Sequence, residues 1–216
     1  TMKKLFLLTL AGLLLFSCNN ASKKSESAVI TDPDVQAIQD VKTSASTQQK
    51  LYGVESAHVK YKSLVADQEM IRDWYFDHHG NRQYEENIFE IMGQTVGSKT
   101  LVLDGMSYNW NLGENTGTKR KYYHSVTDYE KITEREIERY GIQKHGHETV
   151  LGKKCEKITM EKPAKSTAWI WNNIPLKTIA VFAGNEVTIE DIELSTDKVD
   201  SGIFKLPEGI TFEEVN

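Results

Sequence analysis

From Leu51 onward the chain is punctuated by short turn signals, and the residues between them alternate with a period of two. That combination restricts the fold to hairpins of antiparallel strands. Asp104-Gly105 is the strongest of these signals. The arm that follows places Met106, Tyr108, Trp110 and Leu112 on one side and Ser107, Asn109 and Asn111 on the other. His78-His79-Gly80-Asn81 divides residues 70–76 from 82–92, and Gly184-Asn185 divides 176–183 from 187–194. A Pro-containing turn separates 154–160 from 166–171, and Asn172-Asn173 supplies another turn. Residues 58–65 put Val59, Tyr61 and Ser63 on one face, and 203–215 form a last segment with Phe204, Pro207, Gly209 and Phe212. The expectation is an antiparallel meander of roughly eight to ten strands.

One helix interrupts it. Thr127-Asp128-Tyr129-Glu130 reads as a capping box. Tyr129, Ile132, Ile137 and Tyr140 then share a face, and Gly141 stops the helix. Its charged face, with Glu134, Arg135, Glu138 and Arg139, reads as solvated. Residues 113–118 read as a loop.

The N-terminus is of another kind. Lys3 and Lys4 precede an apolar run over residues 5–16, broken only by Thr9 and Gly12. A dozen helical residues span roughly 18 Å, too short for a hydrocarbon core of about 30 Å. Residues 1–17 therefore read as a signal peptide. Cys18, after Ser17, is similar to the cysteine of a bacterial lipobox, which implies lipidation there. Asn19 and Asn20 lack an inner-membrane retention signal, so the expected location is the outer membrane, lipid-anchored, on its periplasmic face. Residues 18–50 hold no aromatic residue and read as a flexible tether; Asp32 and Pro33 could open one short helix within it. Residues 51–216 are the folded domain.

Loss of Lys3 and Lys4 with the leader takes the formal charge from −5 to −7, a balance that does not favour nucleic acid. Cys155 has no intramolecular disulfide partner once Cys18 is acylated, and reads as a buried small hydrophobe. There is no nucleophile elbow, phosphate loop, dinucleotide fingerprint or Cys-x-x-Cys. His147-Glu148 begins like a zincin motif, but Leu151 stands where the second His belongs. His78-His79 and His145-x-His147 lie beside glycines in expected turns without a completing carboxylate or Cys cluster. No enzyme activity, metal or cofactor is expected.

The aromatic residues carry more. Trp74 and Phe76 share a strand face, as do Tyr108 and Trp110, and Trp169 and Trp171. Such stripes pack a core or line a ligand groove. Several strands are apolar on both faces, which lets one face pack while the other lines a cavity. These six aromatics are the candidate groove residues.

Gly152-Lys153-Lys154-Cys155, Ala168-Trp169-Ile170-Trp171 and Ile174-Pro175-Leu176-Lys177 resemble a family of lipoproteins from Bacteroidetes-type bacteria. Val59-Lys60-Tyr61-Lys62-Ser63, Tyr75-Phe76-Asp77-His78-His79-Gly80, and Asp104-Gly105 with Tyr108 and Trp110 fit the same pattern. The Phe204-Lys205-Leu206-Pro207-Glu208-Gly209 ending resembles that of LolA-like chains. The family carries a domain of unknown function grouped with the LolA/LolB-like lipoprotein-localisation fold. The resemblance implies a mainly β fold with one or two helices: a curved antiparallel half-barrel closed by helices, whose concave face holds acyl chains. The soluble carrier's cargo-release Arg is not identifiable here. The expected function is an envelope protein that binds a lipid or lipoprotein acyl group as acceptor, holder or sensor. The alternative is a periplasmic protein–protein binding module. Fold alone does not decide between them.

Overall fold

The structure is a computed structural model and describes residues 49–65, 68–123, 128–129, 131–182 and 184–215. The signal peptide, Cys18, the Asp32 helix and all of the tether except Gln49 and Lys50 lie outside the described residues.

The first meander runs β1 (Ala57–Val65), β2 (Gln68–Asp77), β3 (Arg82–Ile91), β4 (Gln94–Leu103), β5 (Met106–Asn111) and β6 (Thr116–Lys121). Among the described residues one α-helix, α1 (Glu134–Tyr140), leads to the second: β7 (Gln143–Val150), β8 (Lys153–Met160), β9 (Ser166–Trp171), β10 (Ile174–Phe182) and β11 (Asn185–Ser195). β12 (Thr211–Glu214) closes the chain. The twelve strands of the described residues form one sheet in the order β12-β6-β5-β4-β3-β2-β1-β11-β10-β9-β8-β7. It is mainly β, open and curved, and does not close into a barrel. β1 joins the two meanders by pairing with both β2 and β11. Bulges at Lys60/Tyr61, Pro175/Lys177 and Lys144/His147 bend the strands that carry them.

Three elements differ from the sequence expectation. Residues 113–118 are not all loop, because β6 starts at Thr116. Its composition hides it, yet β5 pairs antiparallel on one side and β12 parallel on the other. Gly117 is required there: a Cβ would sit 2.6 Å from the Asn109 carbonyl oxygen and 2.8 Å from the Phe212 ring. His145 and His147 lie on strand β7 and not in a turn. α1 starts later than expected, at a capping box of Thr133 and Glu136; Thr127 and Glu130 of the expected one lie outside the described residues. Thr133 Oγ1 accepts from the Glu136 amide at 3.3 Å, and Glu136 Oε2 accepts from the Thr133 amide at 2.9 Å. Tyr129 is held away from the helix by the sheet. Its amide donates to Asn173 Oδ1 at 2.8 Å, and its ring packs on Ile158, Ala168 and Ile170.

The core lies on both faces of the sheet. One cluster joins Leu51, Tyr52, Val59, Trp74, Phe76 and Leu176 to Cys155 and Trp169. A second joins Leu101 and Trp110 to Val199 and Phe204, with Tyr75, Tyr84, Tyr108 and Phe212 beside them, and a third is the group of Ile158, Ala168 and Ile170 under Tyr129. β2 feeds the first two: Trp74 and Phe76 enter the first and Tyr75 the second, as strand alternation requires. The covers are segments largely outside the strands, the second of them including a short 3-10 turn over Ser201–Ile203. Residues 51–52 lie on the first cluster and residues 199–212 on the second.

The first cover is clamped at both sides. The Leu51 and Tyr52 amides donate to the His79 carbonyl at 3.0 and 3.2 Å. The Gly53 amide donates to the Asn172 carbonyl at 3.0 Å. Gly80, at φ +93°, lets the Tyr52 ring close down, since a Cβ there would lie 2.4 Å from it. Tyr52 then meets Trp74 edge-on at 5.0 Å and Phe76 at 4.6 Å.

Candidate ligand-binding face

Pairing register places residues from separate strands in rows that cross the sheet. On the face carrying Val59 and Trp74, three adjacent rows differ in character. The first runs Ile189–Ser63–Met70–Phe89–Val96 and is largely apolar. The second runs Asp191–Tyr61–Arg72–Asn87–Ser98–Asn111 and is polar throughout. The third runs Val59–Trp74–Glu85–Thr100–Asn109–Thr118, apolar at one end and polar at the other. Six strands about 4.8 Å apart make the polar row about 24 Å long.

Among the described residues, Met70, Phe89 and Val96 belong to none of the core clusters, and each is half-buried. Leu64, Ile91 and Met92 are exposed at the same end of the sheet, Met92 at 96%. The polar row is knitted to its neighbours. Arg72 Nη2 donates to Glu85 Oε2 at 2.6 Å, and Asn87 Nδ2 donates to Glu85 Oε1 at 2.7 Å. Thr100 Oγ1 donates to Asn109 Oδ1 at 2.9 Å. The Arg72 guanidinium lies 5.1 Å from the Tyr61 ring centre and 5.6 Å from that of Trp74. Burial opposes its charge, but Glu85 outweighs that and keeps it firmly protonated. Asp191 is 4% exposed, and burial pushes its carboxyl up to about 7. Its Oδ1 accepts from the Glu193 amide at 2.9 Å. Tyr61 Oη, Arg72 Nε and Asp191 Oδ2 are buried with no hydrogen-bond partner.

The six aromatic residues singled out from sequence fall into two groups. Trp74 and Phe76 are buried in the cluster under Tyr52, with the Trp74 indole donating to Gln83 Oε1 at 3.1 Å. Trp169 joins that cluster and donates from Nε1 to Glu148 Oε2 at 2.7 Å, with Lys157 and Lys177 over its ring. Trp171 packs against the edge of the cluster, under Lys153, and borders a cleft of about 360 Å³ lined also by Tyr129, His147, Lys154 and Asn173. Tyr108 and Trp110 point to the opposite face, where both meet the Phe212 ring edge-on at 5.2 and 5.8 Å. The structure therefore does not bring all six to one surface.

Sequence reasoning missed Arg72, Asp191, Met70, Phe89 and Val96. One signal was present: Met70, Arg72, Trp74 and Phe76 alternate on β2, with a cation set into an otherwise apolar stripe. The histidines are placed singly. His79 contacts Glu55 at 2.8 Å, and His145 contacts Thr159 Oγ1 at 2.8 Å. Among the described residues no group of three or more His, Cys, Asp or Glu could hold a metal.

No protein-family model matches the chain, and no curated protein is similar to it in sequence. Solved structures similar to it were found. An uncharacterised conserved protein from Thermus thermophilus superposes with a TM-score of 0.54 at 12% identity, over 84% of this chain and 99% of that one. A complex of MucA and MucB from Pseudomonas aeruginosa gives 0.46 at 9% identity, over 74% of this chain and 58% of that one. A domain from Vibrio parahaemolyticus named for outer membrane lipoprotein sorting gives 0.29 at 12% identity, over 69% and 89%. The Thermus protein establishes a shared fold; at this identity nothing about activity follows.

Proposed function

We propose that this chain is a lipid-anchored envelope protein, tethered through Cys18 to the periplasmic face of the outer membrane, that binds a lipid or lipoprotein acyl group. It acts as acceptor, holder or sensor and not as an enzyme. The observation that carries the reading is the two-toned face, with half-buried Met70, Phe89 and Val96 one register step from the polar row at Tyr61 and Arg72. An open curved sheet with such a face suits an amphiphile: a chain against the apolar row and a head at the polar one. Trp74, one register step beyond the polar row on the same face, and Trp169 belong to the packed cluster that borders it, and Trp171 lies at the margin of that cluster.

The test uses the full-length chain carrying Cys18→Ser, secreted without its anchor. Native mass spectrometry of the protein from the host envelope should show a co-purified lipid, and a fluorescent fatty acid should bind at micromolar concentration. A clean mass with no binding at tens of micromolar overturns the reading.

A second reading, a protein-binding module, draws on β7. It is an edge strand with mostly exposed side chains, onto which a partner could add a strand. A stable partner captured by a chain that binds no lipid would favour it.

A further inference from the structure

Buried polar atoms are nearly always hydrogen-bonded, so three unsatisfied ones on paired residues of neighbouring strands require an explanation. Tyr61 Oη, Arg72 Nε and Asp191 Oδ2 belong to consecutive members of one row on neighbouring strands. The rest of each side chain is accounted for. Arg72 Nη2 is on Glu85, and Asp191 Oδ1 holds the Glu193 amide. What remains, once Asp191 is ionised above about pH 7, is an N–H donor, a hydroxyl that donates, and a carboxylate oxygen that accepts. Tyr61 and Asp191 are 3% and 4% exposed, whereas the Arg72 side chain is 35% exposed and forms the solvent side of the group.

A single functional group complements the set. A carbonyl oxygen has two lone pairs, for Arg72 Nε–H and Tyr61 Oη–H. An adjacent N–H would then meet Asp191 Oδ2. An ester supplies the carbonyl without the N–H and leaves Asp191 Oδ2 unpaired. A free carboxylate sets a second anionic oxygen against Asp191. Residues two apart on a strand face the same way about 7 Å apart, so the Met70–Phe89–Val96 row begins within reach of an alkyl chain leaving this carbonyl. We propose that Tyr61, Arg72 and Asp191 form a head-group site that selects an acyl chain joined through an amide over the matching ester or free acid. This rests on the acyl-binding reading and adds the linkage that the face recognises.

The test uses the full-length Cys18→Ser chain and three probes of one chain length: N-methyldodecanamide, methyl dodecanoate and dodecanoate. Each displaces a fluorescent fatty acid. At pH 8, where Asp191 is ionised, the amide should bind at least tenfold more tightly than the ester. Asp191→Asn keeps an oxygen for the Glu193 amide and turns the free position from acceptor into donor. It should cost the amide about tenfold and leave the ester unchanged or improved. Tyr61→Phe should weaken amide and ester alike. Equal affinity for amide and ester on the unmutated chain overturns the inference while acyl binding stands; the three atoms then hold only water. The ester comparison needs no variant, so a variant that fails to fold does not block it. If none of the three probes displaces the fluorescent ligand, the acyl-binding reading itself falls.

Discussion

Asn173 donates its side-chain amide to the carbonyl of Leu51 at 2.7 Å, while its Oδ1 accepts from the amide of Tyr129 at 2.8 Å. One turn residue thus fixes the N-terminal cover and the approach to α1 on the same end of the sheet. It is buried and holds a left-handed φ of 66°. Asn173→Ala removes both bonds and strains the turn, and should cost about 2–4 kcal/mol. Asn173→Gly keeps the backbone geometry and should cost less than Ala. Urea unfolding of the two variants checks the order; equal losses would mean that only the side-chain bonds matter.

Gly80→Ala should be more damaging than an ordinary glycine substitution. The added methyl collides with the Tyr52 ring, and the positive φ is unfavourable for alanine. A loss above about 2 kcal/mol is expected. Gly105→Ala, with nothing within 4 Å of the added carbon, is the control and should cost only its backbone strain.

The tryptophans should separate by location. Phe76→Ala and Trp169→Ala open voids in the first core cluster and should each cost about 3–5 kcal/mol. Trp171 borders the cleft and is only partly buried, so Trp171→Ala should cost clearly less. If Trp171→Ala unfolds the protein outright, that tryptophan is a core residue. Thermal melts followed by circular dichroism give the comparison.

Asp191 makes stability depend on pH in the direction opposite to acid denaturation. Its folded carboxyl titrates at about 7, against roughly 3.9 for an unfolded aspartate. Between those values the folded protein holds a proton that the unfolded chain has released. The contribution of this group is therefore full below about pH 4 and is lost as pH rises towards 7. Its size is at most about 4 kcal/mol. Asp191→Asn should raise the melting temperature at pH 8 and leave it nearly unchanged at pH 4. A pH-independent difference between the two proteins would contradict this.

Cys18→Ala should release the protein from membranes, because acyl chains stabilise anchoring by about 0.8 kcal/mol per buried CH₂. A variant that stays with the membrane after salt and carbonate washes would refute lipidation at this residue. Protease digestion on intact cells would contradict the periplasmic placement.

Most of the strands were legible because their ends are written locally. Asp104-Gly105 and Asn172-Asn173 adopt the positive φ angles that tight hairpin turns need. β6 and β7 were not, since neither carries an apolar alternation; both are held by neighbours that sequence spacing does not reveal. The candidate face was harder still. Arg72 is next to Tyr61 because β1 and β2 form a hairpin, but Asp191 arrives there only through the pairing of β1 with β11. Trp74 and Trp110 look alike in sequence, yet the register of β2 to β5 sends them to opposite faces.

That pairing of β1 with β11 also sets when the molecule can finish. A chain that emerges N-terminus first can zip β1 to β6 as it appears, but β1 keeps one edge unpaired until β11, near the other end, has followed. Tyr61 and Arg72 would meet early, Asp191 almost last. Until then the nascent sheet offers a bare, sticky strand to any neighbour, the kind of segment an escort must shield. Assembly of Tyr61, Arg72 and Asp191 and removal of that hazard are therefore the same event.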